Sequence, residues 1–147
     1  MVGILIISHG SLAEELLSAG RKIDSTLAQQ AKALSLEWNV DPEQARQQIA
    51  AALRELDAGD GVIVLTDMFG GTPTNLSLAF LDRARSELVT GVNLPMVVKV
   101  ASLRREPQLT LKALARAVAE KGQKSIYVVS EVLERKGGQS GEGGKNS

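Results

Sequence analysis

The sequence predicts a single α/β domain built on a mostly parallel sheet, and three observations support this. Its 147 residues are the size of one ordinary domain. Short and continuously apolar runs, of which residues 2–8 and 61–66 are the clearest, are typical of strands buried on both faces. Amphipathic helical patterns separate these runs, and strands that alternate with helices indicate right-handed βαβ units.

The remaining strands are predicted with less regular patterns. Residues 33–37 and 125–130 form two further apolar runs, and a weaker run covers residues 87–92. Residues 96–103 stay ambiguous, because the valine-rich pattern favours a strand whereas Pro95 could open a short helix.

Capping signals predict where the helices begin and end. Ser11 and Glu14 have the spacing of a capping box. Asp41 and Thr72 each precede a proline, a residue suited to the first helical position. Gly122 is predicted to end the last helix.

Composition restricts the partners and the location of the chain. Lys plus Arg (17) balances Asp plus Glu (17), so we expect no broad surface for nucleic acid. No apolar run approaches the roughly 20 residues that span a bilayer, and residues 1–7 lack the features of a signal peptide. We therefore expect a cytoplasmic protein without membrane insertion. Residues 136–147 contain no apolar side chain and are expected to be a disordered tail after a folded domain at 1–135.

Two segments that follow strands are candidates for a site, since ligands bind beyond the carboxyl ends of parallel strands. His9, the only histidine, follows the first strand, and Asp67 follows the third. If the two strands are neighbours, Asp67 can accept the imidazole N–H and leave the other nitrogen free to act as a nucleophile. The alternatives are a histidine without a catalytic role and an aspartate that only caps its loop.

A lone histidine also excludes several mechanisms. Zinc hydrolysis needs several nitrogen or sulfur ligands, and the chain has no cysteine and one histidine. Histidine phosphatases and tetrapyrrole chelatases use additional histidines. We therefore expect neither a metal nor a cofactor.

Gly70-Gly71-Thr72 precedes a predicted helix and is either a tight turn or an anion site. The loop lacks the ending of a nucleotide P-loop, so it suits one phosphoryl group and not a nucleotide. Candidate phosphate-binding residues are Gly10, Ser11, Gly70, Gly71 and Thr72. A flavin-binding module is disfavoured because aromatic residues are few and Phe69 alone is expected in a site loop.

Three motifs carry a resemblance to a known family: Gly-Ile-Leu-Ile-Ile-Ser-His-Gly at residues 3–10, Leu-Thr-Asp-Met-Phe-Gly-Gly-Thr-Pro-Thr-Asn at 65–75 and Gly-Val-Asn-Leu-Pro-Met at 91–96. In order and spacing they resemble the enzyme IIA component of the mannose family of the bacterial phosphoenolpyruvate-dependent sugar phosphotransferase system. The resemblance covers about residues 1–130.

The resemblance implies a phosphohistidine relay for sugar transport. It implies that His9 accepts a phosphoryl group from the phosphocarrier HPr through Nε2, that Asp67 holds Nδ1–H, and that the group passes to a IIB component. Because the sequence stops after its Gly/Ser-rich tail, we expect IIB to be a separate protein. The alternative is a regulatory phosphoacceptor that is not coupled to transport. Met68, Phe69 and Asn93 are candidate docking residues.

The resemblance also implies a fold: a doubly wound sheet of strand order 2-1-3-4, with a fifth, antiparallel strand exchanged between the subunits of a homodimer. Residues 125–130 would supply that strand, and the segment that begins at Pro95 would be helical.

Overall fold

A computed structural model describes residues 1–68, 71–78, 80 and 85–138. Within these residues four of the five predicted strands are present and alternate with helices, and a short 3₁₀ helix lies at Ser25–Ala28. The strands are β1 (Gly3–His9), β2 (Ala31–Leu36), β3 (Val62–Thr66) and β4 (Ser86–Val89); the helices are α1 (Leu12–Ile23), α2 (Pro42–Leu56), α3 (Thr72–Leu78), α4 (Leu94–Leu103), α5 (Leu111–Lys124) and α6 (Val129–Gly138).

The sheet is entirely parallel and has the order β2-β1-β3-β4. This confirms the predicted strand order. In the register of the sheet, Ile7 lies opposite Thr66 of β3, and His9 lies opposite Leu36 of β2. From β1 the chain adds β2 on one side of the sheet and then β3 and β4 on the other side. The strand order therefore reverses between β1 and β3. The carboxyl ends of these two strands therefore form the crevice in which such folds bind their ligands.

Two apolar layers cover the two faces of the sheet. Successive side chains of a strand point to opposite faces, so a strand that is buried on both faces must be apolar throughout. On one face the layer joins β1 and β3 to α1, α4 and α5; its residues include Ile4, Ile6, Ile63, Leu65, Leu17, Val97, Val100, Leu114 and Val118. On the other face α2 and α3 cover the sheet; this layer includes Leu5, Ile7, Val62, Val64, Ile49, Ala52, Leu56 and Leu76.

A buried arginine fixes the opposite end of the sheet. Arg104 is 4% exposed, and its guanidinium donates hydrogen bonds to four backbone carbonyls. They belong to Val2, Thr26, Gln29 and Gln30, at donor–acceptor distances of 3.3, 2.9, 2.6 and 2.8 Å. The arginine thus ties the end of α4 to the start of β1 and to the connection that enters β2.

The predicted helix starts are right for α2 and wrong in detail for α1. The Asp41 carboxylate accepts the backbone N–H of Gln44 at 3.1 Å, which is the predicted cap. Ser11 makes no side-chain cap because its backbone (φ −89°, ψ 6°) is not extended, as an N-cap requires. Instead the buried Ser8 Oγ accepts the Ala13 N–H at 2.7 Å.

The ambiguous segment after Asn93 is helix α4. The Asn93 side chain accepts the Met96 N–H at 3.1 Å and so caps this helix, and Pro95 lies in its first turn. The prediction that Gly122 ends the last helix is wrong, since α5 continues to Lys124. A Cβ on Gly122 would lie 2.5 Å from the Met96 sulfur, so this glycine serves the close packing of α5 on α4.

The predicted strand at residues 125–130 is not formed in this chain. Residues 125–128 lie outside any helix or strand, and α6 begins at Val129. A strand needs the hydrogen bonds of a neighbouring strand, whereas a helix supplies its own. The backbone N–H groups of Glu131 and Val132 both donate to the Val128 carbonyl. Residues 136–138, which we expected in the tail, belong to α6, and residues 139–147 lie outside the described residues.

The cap of α1 yields a stability test. In Ser8→Ala the buried Ala13 N–H loses its acceptor, so the free energy of unfolding should fall by about 1–2 kcal/mol. Ser11→Ala, the matched control, should change it by less than about 0.5 kcal/mol, since the Ser11 side chain caps nothing. Urea denaturation measures both. A larger loss of unfolding free energy in Ser11→Ala than in Ser8→Ala would contradict this assignment and support the predicted capping box at Ser11.

Candidate functional site

The candidate site lies where β1, β2 and β3 end together. His9 is the last residue of β1, Leu36 is the last of β2, and Asp67 follows the last residue of β3. The parallel register brings these three ends to one edge of the sheet. Side chains that are distant in the sequence are therefore neighbours here.

One carboxylate oxygen holds His9 by two hydrogen bonds. Asp67 Oδ2 accepts the backbone N–H of His9 at 2.9 Å and lies 2.7 Å from the ring nitrogen Nδ1. The side chains are 16% and 12% exposed respectively, so little water competes for these bonds. An ionised carboxylate can only accept, which assigns the ring hydrogen to Nδ1. The lone pair of the neutral ring is then on Nε2.

The environment keeps Asp67 ionised. Burial alone favours the neutral carboxyl, but the hydrogen bonds and charge of His9, together with the Met68 backbone N–H, hold the pKa of Asp67 below its ordinary value. Because the pKa is lowered, the ionised carboxylate stabilises the folded state above about pH 4. This stabilisation is lost as the pH falls through the pKa of Asp67 in the folded state. Asp67 is therefore a carboxylate at neutral pH. Its other oxygen, Oδ1, is buried and makes no further hydrogen bond to the described residues.

Gly71 lies against the free edge of the imidazole. A Cβ built on Gly71 would be 2.8 Å from Cε1 and 3.6 Å from Nε2 of His9. A side chain at this position would therefore collide with the ring itself. The glycine allows the loop backbone to approach the nitrogen that carries the lone pair.

Buried hydroxyl groups support this loop, and the sequence analysis did not anticipate them. Thr66 Oγ1 and Thr74 Oγ1 are 2.6 Å apart, and Thr74 Oγ1 donates to the Met68 carbonyl at 2.7 Å. Both threonines are fully buried. Together they connect the end of β3 with α3 and hold Met68 and Gly71 beside the histidine. A threonine that directly precedes Asp67 on a buried strand was the available signal.

Trp38 is a further residue of the site that was not predicted from the sequence. Its indole stacks on the His9 imidazole with ring centroids 4.6 Å apart and an angle of 20° between the planes. The expectation that Phe69 alone among aromatic residues lies in a site loop is therefore wrong. Trp38 comes two residues after β2, and β2 is the neighbour of β1, so its position after a strand end was the signal.

The other candidate residues have different surroundings. Gly10 has a φ of +55° and donates its N–H to the Leu36 carbonyl at 2.9 Å, which turns the chain from β1 towards α1. Ser11 and Thr72 are exposed at the start of α1 and α3. Gly70 lies outside the described residues.

Of the candidate docking residues, Met68 is 58% exposed at the edge of the site. Asn93 is half-buried, and its amide also donates to the Gly122 carbonyl at 3.3 Å, so both ends of its side chain are engaged. Phe69 lies outside the described residues. Among residues 1–68, 71–78, 80 and 85–138, no three His, Asp or Glu side chains come together as a metal site.

Comparison with known proteins assigns the chain to a family. Residues 3–119 match the family model described as the PTS system fructose IIA component. The chain belongs to this IIA family. The resemblance to mannose-family IIA components is thereby confirmed, and the chain is a IIA component of the phosphotransferase system.

Relatives of this IIA chain come from several bacteria. It is 39% identical to the PTS system fructose-specific EIIA component of Bacillus subtilis (strain 168) over 57% of each chain. The match thus spans little more than half of that relative. It is 32% identical to the Putative phosphotransferase enzyme IIA component YadI of Escherichia coli (strain K12) over 71% of each.

Solved structures give the same assignment. The mannose/sorbose specific IIA subunit from Enterococcus faecalis is 29% identical to the IIA chain, with a TM-score of 0.74 over 86% of this chain and 93% of that one. In the part of the IIA chain that the structure describes, no helix is long and apolar enough to span a bilayer.

The contact between Gly71 and the imidazole can be tested. Gly71→Ala should displace the His9 ring and weaken its bond to Asp67, because the added Cβ meets Cε1. We expect loss of the low-field Nδ1–H proton resonance and destabilisation of about 1–3 kcal/mol. Gly137→Ala is the control, since a Cβ there meets no atom within 4 Å. An unchanged resonance in Gly71→Ala would show that the loop does not contact the ring in solution.

Proposed function

We propose that this IIA chain is a phosphohistidine relay that takes a phosphoryl group from HPr onto Nε2 of His9 and passes it to a IIB component for sugar uptake. One observation carries the proposal: the Asp67 carboxylate lies 2.7 Å from Nδ1. That contact fixes the tautomer in which Nε2 is the nucleophile.

The proposed transfer needs no proton movement. The lone pair of Nε2 forms a bond to phosphorus while the bond from phosphorus to the donor atom breaks, and its electron pair returns to the donor. Nδ1 keeps its hydrogen, so the imidazole ring becomes positively charged. The ionised Asp67 stabilises that charge at hydrogen-bond distance. The mechanism uses no metal and no cofactor.

Residues around the Nε2 edge would receive the phosphoryl group. Gly71 supports this role because its missing side chain leaves the space beside Nε2 open. The exposed hydroxyls of Ser11 and Thr72 complete the proposed phosphate site, together with Gly70. Gly10 would contribute through the turn that it makes after β1, since its own N–H is donated to the Leu36 carbonyl. Backbone N–H groups and hydroxyls in such a loop stabilise charge on the equatorial oxygens during transfer.

A partner would approach over the exposed side of this site. Met68 is 58% exposed and would form part of the docking surface. Phe69, its neighbour in the sequence, is proposed as a second docking residue. Asn93 would contribute indirectly by fixing the start of α4. The relay is proposed to work in the cytoplasm, where phosphoenolpyruvate is made.

We further propose that the chain forms a homodimer. Among the described strands β4 pairs only with β3 and so leaves one edge open. An open edge and exposed apolar side chains both favour association. Four consecutive residues soon after α5 are apolar and more than half exposed: Ile126, Tyr127, Val128 and Val129. The corresponding segment of a second copy would cover the β4 edge as an antiparallel strand.

The relay is tested by incubation with phosphoenolpyruvate, enzyme I and HPr. The wild-type chain should acquire one acid-labile phosphate per chain, and His9→Ala should acquire none. Asp67→Asn should be slowed by roughly 10²–10⁴-fold, because the amide neither fixes the tautomer nor compensates the ring charge. Single-turnover labelling measures the rates, and circular dichroism checks that each variant is folded.

Two controls distinguish the relay from its alternatives. Equal labelling of wild type and His9→Ala would contradict the proposed acceptor. Addition of candidate IIB proteins then shows whether the phosphate leaves the labelled chain. Retention with every IIB protein would contradict the transport role and favour a regulatory phosphoacceptor.

A further inference from the structure

We infer that Trp38 is a positioning residue for the His9 imidazole: its indole closes one face of the ring and holds Nε2 in line with the incoming phosphoryl group. The kinetic part of this inference rests on the proposed relay. The stacking itself does not, and it can be tested separately.

The position of Trp38 has no explanation in the folding of the core. Trp38 is 80% exposed, so burial of its large apolar surface contributes little stability. Among the described residues its ring contact is with His9, at 4.6 Å between centroids and 20° between planes. The edge of the indole that carries Nε1 lies over Gly10, 4.0 Å from where a Cβ would be. The indole therefore extends from β2 across the end of β1.

Three contacts restrain the imidazole from different directions. Asp67 Oδ2 holds Nδ1 in the plane of the ring at 2.7 Å. The Gly71 backbone lies beside the edge formed by Cε1 and Nε2, close enough that an added Cβ would be 2.8 Å from Cε1, and it leaves this edge open. Neither contact prevents the ring from tilting about the line between them. The Trp38 indole, stacked at 4.6 Å, covers one face of the ring and so opposes that tilt on one side.

The indole also suits the charge that the proposed transfer creates. When Nε2 carries a phosphoryl group and Nδ1 keeps its hydrogen, the ring is a cation. A cation over the face of an indole is attracted by the negative charge of the π-system, and tryptophan is the strongest partner of this kind. The stack is therefore expected to be tighter in the phosphorylated ring than in the neutral one, which favours the accepted phosphate.

A positioning residue and a docking residue predict different kinetics. If Trp38 only contacted the phosphoryl donor, its loss would raise the donor concentration at half-maximal rate and leave the maximal single-turnover rate unchanged. If Trp38 positions the ring, the maximal rate falls, because fewer encounters meet Nε2 in line. An aromatic replacement retains a stacking face, so Trp38→Phe should largely restore the rate that Trp38→Leu loses.

The first test needs no phosphotransfer. His9 is the only histidine, so its ring protons are assigned directly in the NMR spectrum of the full chain. The indole ring current should shift the Cε1–H and Cδ2–H resonances upfield in the wild type. Trp38→Leu should remove this shift, Trp38→Phe should retain part of it, and Asn39→Ala, the neighbouring exposed residue, should leave it unchanged. Identical shifts in wild type and Trp38→Leu would overturn the inference.

The second test measures single-turnover phosphorylation over a range of phosphorylated HPr concentrations. We expect the maximal rate of Trp38→Leu to fall by about three- to thirty-fold and that of Trp38→Phe by less than about three-fold. A change confined to half-saturation, or an unchanged maximal rate in Trp38→Leu, would overturn the positioning role. Failure of the wild type to accept phosphate would contradict the proposed relay instead, and the NMR result would show whether the stack stands.

Discussion

The two hydrogen bonds from His9 to one oxygen of Asp67 are the constraint on which the site depends. One bond fixes the backbone at the end of β1, and the other fixes the ring. Because the same oxygen accepts both, the position of the strand end and the orientation of the imidazole cannot vary independently. The chemistry of the ring is thereby set by the register of β1 against β3.

The rest of the fold makes that register rigid. Apolar layers cover both faces of the sheet, so a slip by one residue would exchange the two faces of β1 and bury its side chains in the wrong layer. At the opposite end of the sheet, Arg104 donates hydrogen bonds to four backbone carbonyls and so ties α4 to β1 and to the connection that enters β2. At the site, Ser8 connects the end of β1 to α1, and the Thr66–Thr74 pair connects the end of β3 to α3.

Much of this arrangement could be predicted from the sequence because it depends on local patterns. The uniformly apolar residues 2–8 indicate a strand buried on both faces, and the Asp41-Pro42 pair marks a helix start. The pairing of His9 with Asp67 was a hypothesis that followed from the position of each residue after a strand. What the pattern could not supply is geometry: whether Ser8 or Ser11 caps α1 depends on backbone angles that composition does not fix.

The errors have similar causes. Gly122 looks like a helix end, but its role is set by Met96 on another helix. Residues 125–130 look like a strand, but in the single chain residues 125–128 have no strand to pair with and α6 begins at Val129. Trp38 was missed because its contact with His9 depends on how the side chain after β2 is directed over the end of β1, which the predicted strand order does not fix.

The most direct test of the account is ¹⁵N NMR of the histidine-labelled chain after phosphorylation by enzyme I and HPr. We expect the phosphoryl group to be bonded to Nε2 and Nδ1 to keep a slowly exchanging hydrogen, which is lost in Asp67→Asn. A phosphoryl group on Nδ1 would contradict it, since that nitrogen would then have no hydrogen to give to Asp67.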